Sequence, residues 1–195
     1  DGAGLVEQQR GDIARCLDIL EAGLEACGLK VERRRDAAVQ LHVNTADTCI
    51  FYTLALDADR DWLISLGANA ARVPESRRPV VAELVARINQ NYIVGGFDFD
   101  FADGELRYRI GHVLGHEDPP YPLVERFVGY TVSAWNRWHA ALMSVAYGEV
   151  TPETAITRMQ AREVTADPAP TESDDASEDE PDADIDTILE QLGLT

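Results

Sequence analysis

The chain has 195 residues, of which 45% are apolar, and a formal net charge of −18 at pH 7. This length and apolar fraction are sufficient for one ordinary domain with a hydrophobic core. A strongly negative chain repels phosphate backbones and anionic membrane surfaces, so we expect neither nucleic acid nor a membrane as a partner.

The first part of the sequence predicts one helix and three strands. Apolar residues recur at helical spacing over residues 7–27, and Gly28 provides a stop signal. Strand-like patterns follow over residues 39–43, 48–56 and 62–68. The links between these strands are short and rich in turn residues, which favours an antiparallel meander.

The next part predicts a helix, a hairpin and a long helix. The helix runs from about Val80 to Asn91, and the hairpin spans Phe97–Ile110 with an Asp-Gly turn at Asp103. Three prolines then begin a helix that continues to about Tyr147. We therefore predict an α+β fold with an antiparallel sheet of about five strands, in the order α-β-β-β-α-β-β-α.

The predicted long helix carries a wide apolar stripe. Such a stripe can pack on the sheet and also contact a second subunit, although a single well-buried helix has the same pattern. The candidate residues for a partner or dimer interface are Phe127, Trp135 and Trp138. Core packing is the alternative for the two tryptophans.

The negative charge is concentrated in one segment. Residues 163–195 contain twelve Asp and Glu and no Lys or Arg, so they carry −12 of the −18, and residues 1–162 carry the remaining −6. The composition predicts an α+β domain over residues 1–160, a disordered acidic linker over residues 161–184 and a short amphipathic C-terminal motif over residues 185–195. The motif's candidate partner-binding residues are Ile185, Ile188, Leu189 and Leu192. So short a helix orders only against a surface, either of its own domain or of a partner.

Two acidic residues in the hairpin have the spacing of a divalent-metal pair. Asp98 and Asp100 flank Phe99, and Arg107 and Arg109 lie on the opposing predicted strand. Cross-strand ion pairs account for this pattern, so we predict salt bridges here and no metal site.

Two histidines follow the hairpin at a spacing of four. Flanking glycines and prolines predict that His112 and His116 lie in a loop, and two histidines fall short of a zinc ligand set. A non-catalytic loop is predicted, with a proton-sensitive loop as the alternative. A metal-dependent enzyme using Asp98, Asp100, His112 and His116 is the least favoured hypothesis.

Other catalytic signals are absent from the sequence. It contains no Gly-rich phosphate loop, nucleophile elbow or two-cysteine metal signature. Cys16, Cys27 and Cys49 are odd in number and widely spaced, which predicts ordinary thiols and neither a disulfide framework nor a zinc site. We expect a non-enzymatic protein without a cofactor. No apolar run approaches the roughly 20 residues of a membrane span and no secretory segment opens the chain, so we expect a cytoplasmic location.

The order of the elements, together with particular motifs, resembles the YbjN-like family of bacterial sensory-transduction regulators. The resemblance covers about residues 5–158 and includes the Phe97–Ile110 hairpin and a small motif over Tyr147–Ile156. Ile88-Asn89 matches a family helix that carries an Asn near its end, and Leu106-Arg107-Tyr108-Arg109 matches a Tyr-Arg type of strand.

The resemblance implies a fold like that of type III secretion chaperones, polypeptide recognition without catalysis, and often a homodimer. It assigns no catalytic residues, and the acidic tail is a departure from the secretion chaperones. The leading hypothesis is a chaperone-like or regulatory adaptor that binds a client polypeptide through the helix-free face of the sheet or a dimer groove. Apolar anchors would supply the affinity, and the acidic surface would select basic clients. The alternative is a scaffold that bridges partners through its terminal motif.

Overall fold

The computed structural model describes residues 2–35, 37–115 and 117–166, with side chains placed between residues 12 and 162 of those ranges. The helices and strands are, in chain order, α1 (Gly2–Ala26), β1 (Arg33–Arg35), β2 (Ala38–Asn44), β3 (Cys49–Asp57), β4 (Trp62–Arg72), α2 (Arg78–Asn89), β5 (Gly96–Phe99), β6 (Glu105–Val113), α3 (Tyr121–Tyr147) and α4 (Pro152–Ala166). The predicted α+β class with an antiparallel sheet is confirmed.

The sheet has six strands in the order β1-β2-β3-β4-β6-β5, and every neighbouring pair is antiparallel. β2, β3 and β4 form the predicted meander, and α2 then carries the chain past the position that β6 occupies beside β4. The strand that the sequence did not predict is β1, which consists of Arg33–Arg35 and therefore lacks any apolar alternation.

One face of the sheet is packed against the helices. α1, α2 and α3 contribute Leu20, Leu84 and Trp135 to this layer, and each of these side chains is fully buried. The strand residues beneath them are at most 3% exposed: Val39, Leu41, Val43, Ile50, Tyr52, Leu54, Leu63, Phe97, Leu106, Tyr108 and Ile110. The described helices and this face form a single hydrophobic core.

The middle of α3 lies directly on β4. A Cβ at Gly67 would clash with Thr131 Cγ2, and the Trp135 indole N–H donates to the Gly67 carbonyl at 3.0 Å. Nearby, the buried Ser65 hydroxyl donates to the Tyr52 hydroxyl at 2.9 Å, and burial raises the pKa of Tyr52. Where α3 crosses β4, the covered side of the strand therefore carries the small residues Ser65 and Gly67, which allow the helix to lie close to the sheet.

The segment that sequence analysis treats as a small motif contains the start of α4. Thr151 Oγ1 accepts a hydrogen bond from the backbone N–H of Thr154 at 3.3 Å, and Pro152 is the first helical residue. Ala155 and Met159 pack α4 into the core, and Arg87 of α2 forms an exposed ion pair with Glu153 of α4 at 2.5 Å. It extends to Ala166, six residues past the expected domain end at residue 160.

Candidate functional site

The second face of the sheet is left bare by the described helices. In β4, Leu63 and Gly67 point into the core, whereas Trp62, Ile64 and Leu66 point to the opposite side. Their cross-strand neighbours on β3 are also apolar or uncharged, apart from the partner of Trp62. We call this surface the open face and define it by Phe51, Thr53, Ala55, Trp62, Ile64, Leu66, Ala68, Gly111 and Val113.

The open face is more apolar than is usual for a sheet face that no helix covers. The side chains at its centre are half-buried, and Trp62 and Val113 at its end are 43% and 58% exposed. A bare face of an antiparallel sheet normally carries polar residues. In β4 the more apolar of the two faces points away from the helices, so packing within the described chain does not explain the apolar character of the open face.

A groove of about 570 Å³ crosses the open face towards the β5 edge. Its lining residues are Trp62, Ile64, Asn89, Gly95, Gly96, Phe97, Asp98, Arg109 and Gly111. Three of these residues are glycines, so bare backbone forms much of the surface. Gly95 has φ +71°, and a Cβ there would lie 2.8 Å from Ile110 Cγ1, so this position requires glycine.

Trp62 forms one wall of the groove and Gly111 leaves the space beside it. A Cβ at Gly111 would lie 3.7 Å from Trp62 Cε3 and Cζ3, which is an ordinary van der Waals distance. The backbone of Gly111 is not in the left-handed region. Glycine is therefore not needed for the strand at this position, and its effect is to keep the groove open.

Asn89 closes the outer edge of β5 at one point. Its side-chain amide donates to the Phe97 carbonyl at 2.9 Å and accepts from the Phe97 N–H at 2.9 Å. This pair of bonds imitates a neighbouring strand and satisfies backbone groups that an added strand would use. Ligand binding by strand addition at Phe97 is therefore obstructed, while the groove on the open face stays accessible.

Arginines flank the open face on both sides. Beside the groove, Arg109 Nε lies 2.8 Å from Asp98 Oδ2 and Arg107 Nε lies 3.8 Å from the same oxygen, so two positive charges share one carboxylate. At the opposite edge, Arg35 donates to the Gln40 side chain at 3.0 Å. The β3–β4 turn at one end is acidic, since residues 57–61 contain three Asp and one Arg. The sides of the open face thus attract acidic groups and its turn end repels them.

Comparison with known proteins identifies the family. The model of the YbjN family, described as "Putative bacterial sensory transduction regulator", matches residues 17–143. The chain belongs to the YbjN family. A comparison with curated proteins gave no match.

Three solved structures are similar to this YbjN family member. YbjN from E. coli, described as a putative transcription regulator, is 15% identical, with 64% of this chain and 91% of that chain covered and a TM-score of 0.47. A chain of the ExsC–ExsE complex is 15% identical, with 64% and 93% covered and a TM-score of 0.46. A chain of the HopA1–SchA chaperone–effector complex is 14% identical, with 62% and 88% covered and a TM-score of 0.41.

Two of the motifs that carried the resemblance to the YbjN family, Ile88-Asn89 and Leu106-Arg107-Tyr108-Arg109, contribute residues to the lining of the groove, whereas the motif over Tyr147–Ile156 lies at the end of α3 and the start of α4. Asn89 fixes the edge of β5, and Arg107 and Arg109 point to the open face from β6. Trp62 and Gly111 complete the groove but were not candidate site residues in the sequence analysis. The alternation of Trp62 with Ile64 is visible in the sequence, but the face of β4 that the helices cover is not.

The predicted salt bridge of Asp98 with Arg107 and Arg109 is confirmed. Asp100 does not join it, because its carboxylate accepts the Ala102 N–H in the hairpin turn at 2.8 Å. The loop expected around His112 is wrong, since His112 lies in β6 opposite Leu63.

The residues of the metal-dependent hypothesis are not brought together. Asp98 lies on the open face, whereas His112 lies on the face of the helices, and His116 is outside the described residues. Across residues 2–35, 37–115 and 117–166, no three His, Cys, Asp or Glu residues are grouped as metal ligands. None of the helices described is long and apolar enough to cross a membrane.

The other candidate residues do not contribute to the open face. Phe127, Trp135 and Trp138 are 3%, 0% and 2% exposed, so they pack in the core of the single chain. Residues 185–195, with the candidates Ile185, Ile188, Leu189 and Leu192, lie outside the described residues.

Proposed function

We propose that this YbjN family member is a non-catalytic protein-binding module, and that its open face binds an apolar and acidic segment of a client polypeptide. The observation that carries the proposal is the orientation of β4, whose apolar residues Trp62, Ile64 and Leu66 face away from the helices. Contiguous exposed apolar surface with a polar rim is typical of protein interaction sites.

The shape of the surface supports a polypeptide ligand. Apolar residues extend over β3, β4 and β6, a width of roughly 10–15 Å at the usual strand spacing, which is suitable for a helix or an extended segment. The groove beside Trp62 can take a single large apolar side chain as an anchor, as at many protein interfaces.

The charges favour an acidic ligand over a basic one. Arg107 and Arg109 share one carboxylate beside the groove, so an acidic group of the ligand gains an ion pair there. The net charge of the chain predicts that its acidic surface selects basic clients. The local charge of the open face supports the opposite choice, although the domain as a whole is negative.

The proposal is tested by selecting random twelve-residue peptides, displayed on phage, against the full chain and two variants. Leu66→Asp places a charge at the centre of the open face. Ala140→Asp adds the same charge at an exposed position of α3 and serves as the matched control. We expect peptides rich in Leu, Ile, Asp and Glu to be enriched on the wild type and on A140D and lost on L66D.

Two results would contradict the proposal. Enrichment that survives in L66D would place the binding site elsewhere on the protein. Enrichment of basic peptides would refute the charge argument, and Arg109→Glu would then strengthen binding when it should weaken it.

A further inference from the structure

The open face has a candidate occupant within the chain itself. We propose that residues 178–195 dock on the open face of the same chain, with the apolar positions of 185–195 over β3, β4 and β6 and the acidic residues beside Arg107 and Arg109. The inference rests on the proposed function, because it requires the open face to bind an apolar and acidic segment.

The chemistry of the segment is complementary to the surface. Residues 178–195 contain seven Asp and Glu and no Lys or Arg. The apolar residues recur at helical spacing, so a helix formed on docking would carry them on one side: Ile185, Ile188, Leu189 and Leu192. Eleven helical residues are about 16 Å long, which is close to the width of the three central strands.

The intervening chain is long enough. α4 ends at Ala166 and packs beside α2, where Arg87 and Glu153 form an ion pair. α2 in turn is bonded to β5, at the groove edge, through Asn89. Residues 167–177, which connect α4 to the docked segment, number 11. Such a segment spans at most about 36–40 Å and about 18 Å on average as the disordered linker that the composition predicts. A six-stranded sheet is only about 24 Å wide, so the segment can pass around the β5 edge.

Tethering makes even weak docking effective. A linker of this length gives a local concentration on the order of 1 mM. A segment with an intrinsic Kd of about 100 µM would then occupy the open face about 90% of the time and weaken the binding of a competing ligand about tenfold. The tail thus acts as a competitor that a client must displace.

The test measures binding of a fluorescent peptide with the sequence of residues 178–195 to the full-length protein by fluorescence anisotropy. The variant L189D/L192D disables the tethered copy. The matched control T187D/Q191D adds the same two charges between the apolar positions. We expect L189D/L192D to bind the peptide about tenfold more tightly than the wild type, T187D/Q191D to behave like the wild type, and L66D to abolish binding in each background.

Each alternative result overturns the inference in a recognisable way. Equal affinity of the wild type and L189D/L192D would show that the tail leaves the open face free, while the proposed function would stand because the peptide still binds there. No binding by any variant would refute self-docking, and the phage selection alone would then decide the proposed function. A larger mass of the wild type than of L189D/L192D in light scattering would show that the segment binds a second copy of the chain.

Discussion

Replacement of Gly111 by Ala separates the stability of the sheet from the use of the groove. The new Cβ meets Trp62 at 3.7 Å, and the backbone does not require glycine. Alanine has fewer backbone conformations than glycine, so it lowers the conformational entropy of the unfolded chain. We therefore expect the free energy of unfolding to rise by about 0.4–1 kcal/mol. For a chain of this size the melting temperature should rise by about 1–4 °C.

The same methyl group takes space from the groove. Overpacking at a well-fitted contact costs about 1 kcal/mol or more, so we expect at least a fivefold loss of affinity. The assay combines thermal unfolding followed by circular dichroism with anisotropy of the 178–195 peptide, in the L189D/L192D background. Gly104→Ala is the contrasting control, because φ is +78° there and a Cβ would clash with the Val73 carbonyl. It should lose stability and, at temperatures where it is folded, keep its affinity. Lower stability of G111A, or unchanged affinity, would refute the reasoning about the groove.

Three further contacts of the framework around the site are tested by chemical unfolding of variants. Asn89→Asp keeps the acceptor for the Phe97 N–H but loses the donor to the Phe97 carbonyl, so it should lower the free energy of unfolding by about 1–3 kcal/mol at pH 7. The loss should be smaller at acidic pH, where a protonated carboxyl group donates again. An unchanged stability would contradict the strand-like role of this amide. Gly67→Ala should destabilise by about 1–3 kcal/mol through its clash with Thr131 Cγ2, and Thr131→Ser should restore part of this loss; additive losses in the double variant would refute the contact. Burial lowers the pKa of His139, so the unfolded state binds its proton first as the pH falls below about 6.5, and stability is lost on acidification. His139→Gln should therefore lose less stability than the wild type between pH 7 and pH 5, and equal slopes would contradict the burial argument.

The homodimer that the family resemblance implies stays a prediction. Light scattering of the L189D/L192D variant tests it without a contribution from the tail, and a mass of one chain would refute it. The result bears on the open face, because a dimer formed through that face should dissociate in L66D and not in A140D.

Most of the fold could be predicted from hydrophobic periodicity and from turn residues. The Asp103-Gly104 turn and the alternation around Phe97 located the hairpin, and the prolines before Tyr121 located the start of α3. β1 was not predicted, because a three-residue edge strand of arginines is held by backbone pairing and has no apolar pattern in the sequence. α4 did have a signal, since Thr151 followed by Pro152 is a typical start of a helix.

The candidate site could not be predicted in the same way. β4 has apolar residues at Trp62, Ile64 and Leu66, and a strand pattern does not say which of its two faces meets the helices. The decisive residue is Gly67, whose contact with Thr131 places α3 on the opposite side. The groove also needs β6 to lie between β4 and β5, which brings Gly111 next to Trp62, and this order depends on the path of the chain through α2.

The central claim is that the open face binds polypeptide, and methyl NMR of the full-length L189D/L192D variant tests it most directly. Ile64 and Leu66 of β4 point to the open face, while Leu63 of β4 and Leu54 of the neighbouring β3 point to the core and act as internal controls. Addition of the 178–195 peptide should shift the methyl signals of Ile64 and Leu66 and leave those of Leu63 and Leu54 in place. Shifts confined to core or helix methyl groups, or no shifts at a saturating peptide concentration, would contradict the account.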